Sequence, residues 1–361
     1  DTWTATGTVS DGFCDTFTVY GAVTAFAPES GDFAVLVDGE PVSPRTLVGP
    51  EFDEHTRTLV GGGDGYGNAV RSGTTAVSTA RDLREALDDA TTGDTVFVAG
   101  DADIDLGTTT LDVPAGVTLA SNRGIDAAPG GLVRTTDATW PMMTVHQGAR
   151  VTGVRLEGPQ ETFVAYDRDN VGLGIDVVGR GVEIDNCELF GFASAAVRCG
   201  ADTHLHHSYL HHVPMDIVGA AVRCTDGQPR IECNYVNYTR NGVTATGDGG
   251  YTVAYNRFGP DVLEYAAACD APGGTTLDIH HNTVAAADQA DATAAIALRG
   301  EPSDRLLVAN NWFETETVPG TTAGKRDAAV AHLTADTGAN IDIADNHYGT
   351  EQPPQHIGHP R

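Results

Sequence analysis

A short run, Ile-x-x-Asn-x-Φ with Φ apolar, returns seven times in the second half of this chain and leaves it few folds to choose from. Aligned on the Asn position, it reads Ile184 to Cys187, Leu205 to Ser208, Ile231 to Asn234, Val253 to Asn256, Ile279 to Asn282, Val308 to Asn311 and Ile343 to Asn346. Successive Asn positions lie 21, 26, 22, 26, 29 and 35 residues apart. Each is followed two places on by an apolar residue: Leu189, Leu210, Val236, Phe258, Val284, Phe313 and Tyr348. A unit this short cannot bury its own apolar face and is stabilised by stacking on copies of itself. It is too small for a propeller blade and has no helical period, so the pattern predicts an all-β solenoid, a right-handed parallel β-helix. Asn234, Asn256, Asn282, Asn311 and Asn346 should then stack at one turn and satisfy, along the axis, groups the turn would otherwise bury.

A solenoid needs a cover for its first coil, because an open sheet end exposes both apolar surface and unpaired backbone. Residues 78 to 98 predict one. Ser78 or Thr79 can cap a helix whose apolar face is Leu83, Ala86, Leu87 and Ala90; Gly93-Asp94 ends it, and Thr95-Val96-Phe97-Val98 reads as a first strand. With Ile104-Asp105-Leu106 and Pro114-Ala115-Gly116-Val117-Thr118-Leu119 following, this opening resembles that of pectate-lyase-like β-helix proteins. The resemblance covers roughly residues 75 to 350 and is far more specific for the fold than for the chemistry.

Residues 1–60 have a different texture. Alternating runs Thr16-Phe17-Thr18-Val19-Tyr20 and Phe33-Ala34-Val35-Leu36-Val37, with a turn signal at Asp38-Gly39, predict a small β module or cap. It resembles modules of secreted proteins from halophilic archaea. Residues 61–77, opening on Gly61-Gly62-Gly63-Asp64-Gly65, read as a glycine-rich linker and not as a phosphate cradle, since no Lys-Ser/Thr ending follows. The β-helix is assigned to 78–350 and a polar tail to 351–361.

The formal net charge is -29, and Lys325 is the sole lysine. Dense scattered carboxylates with almost no lysine fit a surface kept soluble in concentrated salt, which points to a halophile and, with the module, to an archaeon. Nucleic acid is excluded as a partner because phosphate binding needs a basic footprint. No stretch approaches the ~20 apolar residues of a membrane span. The start at Asp1 fits a mature exported chain, so an extracellular or cell-surface location is expected.

Of six cysteines, Cys199 and Cys224 end matching runs, Ala195-Ala196-Val197-Arg198-Cys199 and Ala220-Ala221-Val222-Arg223-Cys224. They should stack on adjacent coils about 4.8 Å apart, a spacing that allows a disulfide although parallel Cβ vectors disfavour one; inward, space-filling thiols are the alternative. No cysteine or histidine spacing supports a metal site.

Residues flanking the inward Ile or Val of each repeat should point outward. This yields a stripe of Glu183 and Asp185, His204 and His206, Arg230 and Glu232, Thr252 and Ala254, and Asp278 and His280. Enzymes of the resembled fold offer two patterns. Calcium-dependent polysaccharide lyases group carboxylates around Ca²⁺ beside an Arg or Lys base, which would assign Asp185 and Glu232 as cation or substrate ligands and Arg230 as the base. Hydrolases need clustered aspartates, and the repeats contain none. His204, His206, Asp278 and His280 are the candidate carbohydrate contacts, and the doublets His206-His207, His211-His212 and His280-His281 fall at or near turns.

Three functions remain. An extracellular structural or assembly subunit, self-associating head to tail into a filament, accounts for the regular core and incomplete catalytic sets. The alternative is a polysaccharide lyase or glycoside hydrolase of the resembled superfamily, and the third is a noncatalytic glycan-binding or adhesion protein.

Overall fold

The structure, a computed structural model, describes residues 35–37, 40–42, 59–160, 165–167, 169, 171–200, 202–245, 249–269, 274–285, 295–298, 302–314, 330–332 and 340–359. The chain divides into two compact units, 1–53 and 54–361. In the first, Val35–Val37 and Glu40–Val42 pair antiparallel with Val37 opposite Glu40; the turn expected at Asp38-Gly39 lies outside the described residues. The expected strand at 16–20 lies outside the described residues, as do Cys14 and Lys325.

The second unit is a parallel β-helix of three short strands per coil. The first strands stack into an 11-stranded parallel sheet running from Thr75–Val77 to Ile341–Ala344. Second and third strands form one 18-stranded sheet, because Tyr235–Ala245 runs unbroken through both stacks. The repeat dictates the register. Ile184, Leu205, Ile231, Val253, Ile279 and Val308 lie one above another in the first strands. Leu189, Leu210, Val236, Phe258 and Val284 do so in the second, and Ile175, Val197, Val222 and Val243 in the third. These inward columns merge into a single core, in which each fully buried Ile, Leu or Val is worth about 1.5–3 kcal/mol.

Helix α1 (Ala80–Asp89) closes the first coil. The Thr79 hydroxyl accepts from the Asp82 N–H at 3.2 Å, and Leu83 and Leu87 are buried in the solenoid core.

At the turn from first to second strand, an unbroken ladder runs along the axis. The Asn234 N–H donates to Asn256 Oδ1 at 2.8 Å, Asn256 to Asn282 at 3.0 Å, Asn282 to Asn311 at 2.9 Å and Asn311 to Asn346 at 3.0 Å. Ser208 and Cys187 extend it one coil each. The side-chain amide of each Asn from 234 to 346 donates inward to the carbonyl of an apolar first-strand residue of the preceding coil, as Asn256 does to Ile231 at 2.8 Å. The residue before every ladder position, from Asn186 to Asp345, has φ between 47° and 61°. None is glycine, so the ladder holds seven turns in the left-handed region against their intrinsic preference.

Cys199 and Cys224 lie in register, buried and free, so the bridge that their spacing allowed is not formed. Burial, then a hydrogen bond with Cys199, raises the Cys224 thiol well above its usual range. They pack as small apolar side chains.

Two segments run against the outside of the coils. Residues 59–68, which overlap the linker expected over 61–77, form a strap over the first-to-second-strand turn. The polar tail is partly docked there too: Gly358 N–H donates to Asn310 O at 2.9 Å, and His359 N–H to Thr283 Oγ1 at 3.1 Å.

Candidate functional site

The first-strand stripe forms in the expected register, Glu183–His204–Arg230 on one column and Asp185–His206–Glu232 on the next. It is knitted by ion pairs. Arg150, from the preceding coil, grips both oxygens of Asp185 at 2.8 and 2.7 Å and lies 3.5 Å from Glu183. His206 Nε2 meets Glu183 at 3.2 Å, His204 Nε2 meets Glu232 at 2.9 Å, and Arg230 donates to Glu232 at 2.8 Å. Burial opposes charging Glu183, but His206 and Arg150 outweigh it and hold its carboxyl at about 2. Glu232 is likewise held at about 2, its burial overcome by His204 and Arg230. Burial, reinforced by neighbouring His206, pulls the His204 imidazole down to about 4.

The strap lies against part of this stripe, at Asp185 and His206. Gly61 N–H donates to Cys233 O at 2.9 Å, Arg123 Nη1 to Gly61 O at 3.0 Å, and Gly63 N–H to Asn186 Oδ1 at 2.8 Å. Tyr66 donates its hydroxyl to Asp185 Oδ2 at 2.8 Å, and Arg150 Nη2 reaches Asn68 O at 3.3 Å. Burial and the Asp185 charge push the Tyr66 phenol far above its ordinary range. The glycines are needed for this approach: a Cβ on Gly62, whose φ is +65°, would sit 2.1 Å from His207 O.

This corrects the expected chemistry. Asp185 is 0 % exposed, with its oxygens taken by Arg150, Thr152 and Tyr66; His206 and Glu232 are also buried. Alternation put these side chains outside the coil, where Tyr66 of the strap meets Asp185 and His206, and His204 and Arg230 enclose Glu232. Glu183, Asp185 and His206 bring ligand-type atoms within 4.8 Å of one another. The Arg150 guanidinium already supplies the positive charge there, so the donor set fits an ion-pair array and not a calcium site. Arg230 is engaged with Glu232, which leaves it a poor base. Asp278 is bound by Arg305 at 2.7 and 2.8 Å, and His280 by His281 through a 3.0 Å Nδ1···Nδ1 contact. The other two doublets make the same contact, at 2.9 and 2.6 Å, so their rings are used locally.

Among the described residues, the third-strand face is exposed at Trp140 and Val178, while Asp176 and Thr244 on it are buried. Asp176, Arg198, Arg223 and Thr244 form an outward column on successive coils. Asp176, Val177, Val178, Arg198, Thr225 and Asp226 line an open hollow of about 520 Å³. Arg198 donates Nε and Nη2 to the two oxygens of Asp176 at 2.8 and 2.5 Å, and its guanidinium lies 5.4 Å from the ring centre of Trp140. The hydrogen bond with Asp176 raises Arg198 further, so it stays a cation. Trp140 is 47 % exposed and Val178 56 %. The Nε/Nη2 edge of Arg198 is taken by Asp176, so a sugar carboxylate can meet this guanidinium only through its Nη1 side, beside an exposed indole that can support the apolar face of a pyranose.

Sequence reading missed this face although its signal was visible. The Ala-Ala-Val-Arg-Cys repeat places Arg198 and Arg223 between two inward residues, hence outward and stacked, but its cysteines drew the attention.

No family model matches the chain, and no curated protein matches it. Among solved structures it is similar to an alginate lyase from Paenibacillus sp. str. FPU-7, with a TM-score of 0.50 and 11% identity over 76% of this chain and 94% of that one. The likeness is one of fold: both are parallel β-helix-like chains.

Proposed function

We propose that this chain is a polysaccharide lyase acting on a uronate-containing polymer, with its site on the third-strand face, where Arg198 joins the hollow to Trp140 and Arg223. The observation that carries the reading is the pairing of a two-coil arginine column, Arg198 and Arg223, with half-exposed Trp140. The β-helix fold shared with an alginate lyase supports it over a structural subunit. In such an elimination a positive charge offsets the uronate carboxylate, the adjacent C–H passes its proton to a base, for which the hollow offers the Asp226 carboxylate, and the C=C bond forms as the glycosidic C–O bond breaks, the departing oxygen taking a proton from water. Arg198, paired with Asp176, and Arg223, held by Val218 O, supply positive charge along the column, and Trp140 the sugar platform. A polymeric substrate of this kind carries with it an extracellular or cell-surface location.

The test is to incubate the protein in concentrated salt with alginate and other uronate polymers and follow unsaturated ends by ultraviolet absorbance. Product is expected, with Trp140→Ala raising KM more than it lowers kcat. Neither cleavage nor binding of any uronate polymer would overturn the reading.

A further inference from the structure

The geometry points to the strap, residues 59–68, as an acid-released clasp: it closes on the first-strand array at neutral pH and lifts when the array gains protons. The strap is held over four coils by the contacts described above, and its one side-chain bolt is Tyr66 on Asp185. The Tyr66 ring also lies against His207 and His206, with centroids 5.2 and 6.5 Å away. What faces the clasp is therefore titratable on nearly every side. The strap meets Arg150, Asp185 and Asn186 by hydrogen bonds and His206 and His207 through the Tyr66 ring; Glu183 and His204 stand behind these, paired with or stacked on His206, and Glu232 with Arg230 lies beyond, paired with His204. Arg123 holds the backbone at Gly61.

Two imidazole rings sit at the centre of this array, His204 and His206, with centroids 4.2 Å apart. A cation on His204 is disfavoured there by burial and by its neighbours His206 and Arg230. The sign follows from the directions of the shifts. His204 titrates at about 4 in the closed state and near 6.5 when exposed, so closure is favoured above that exposed value and weakens as pH falls toward 4. Glu183 and Glu232, held at about 2 when closed, add stability above their ordinary range that is lost as pH falls further. The His204 and Glu183 shifts weaken closure in acid, while the raised Tyr66 phenol stays protonated throughout that range. Release also restores backbone freedom to Gly61, Gly62, Gly63 and Gly65, all at positive φ in the clasp.

The experiment is hydrogen–deuterium exchange on the full chain at constant salt, corrected for intrinsic exchange, from neutral pH down to pH 4. Protection of 59–68 should fall by at least about tenfold while the Asn256 and Asn282 ladder strands keep theirs, the signature of a local opening. His204→Gln should keep the strap protected at the acid end, and Tyr66→Phe should shift its opening toward neutral pH. Strap protection that is constant with pH, or lost only together with the ladder, overturns the inference. So does an opening midpoint in His204→Gln unchanged from that of the wild type.

Discussion

At the scale of single residues, the ladder asparagines carry the most structure per side chain. Asn256 accepts the Asn234 N–H, donates to Ile231 O and passes its own N–H to Asn282. Asn256→Ala leaves a buried N–H and a buried carbonyl without partners at about 1–3 kcal/mol each, and loosens a Tyr255 held at φ 61°. Chemical denaturation should show a loss of about 2–5 kcal/mol with folded secondary structure retained. This part of the molecule was legible in the sequence, because the ladder needs one residue type at one place in every repeat. Asp185 shows the limit of such reading. Its outward direction follows from alternation, but its partner Tyr66 lies 119 residues earlier, and no local pattern connects them.

At the scale of elements, the same contrast holds between strands and strap. Strand positions follow from the repeat and helix α1 from its cap and apolar stripe, so both are readable locally. The run Gly61-Gly62-Gly63-Asp64-Gly65 carries only a statement about conformational freedom, which suits a linker and a tightly docked strap equally. Contact with His207 O decides for the strap. Gly62→Ala should therefore raise exchange across 59–68 at neutral pH while the melting temperature of the solenoid changes little. A large drop in melting temperature would mean that the strap is part of the cooperative core. Arg198 and Arg223 were written into the sequence as plainly as the ladder, but an arginine column reads as function only once exposed Trp140 is seen beside it.

At the scale of the whole molecule, a charge of -29 surrounds a core built from short stacked strands. Like charges repel over ~10 Å in 0.1 M salt and only ~3 Å at 1 M. We propose that the chain belongs to a salt-rich setting, and expect its melting temperature to climb steeply between about 0.1 and 3 M KCl; a flat profile would remove that reading. Among the described residues no helix is long and apolar enough to cross a membrane. The central claim is the location of the chemistry, on the third-strand face and not on the strapped first-strand stripe. The direct measurement compares release of unsaturated sugar from a uronate polymer by Arg198→Ala and Arg230→Ala in concentrated salt. The account predicts that Arg198→Ala loses at least about a hundredfold in kcat/KM, as expected for a lost charge contact to the reacting carboxylate, while Arg230→Ala stays within a few-fold of the parent. Full activity in Arg198→Ala together with its abolition in Arg230→Ala would contradict it.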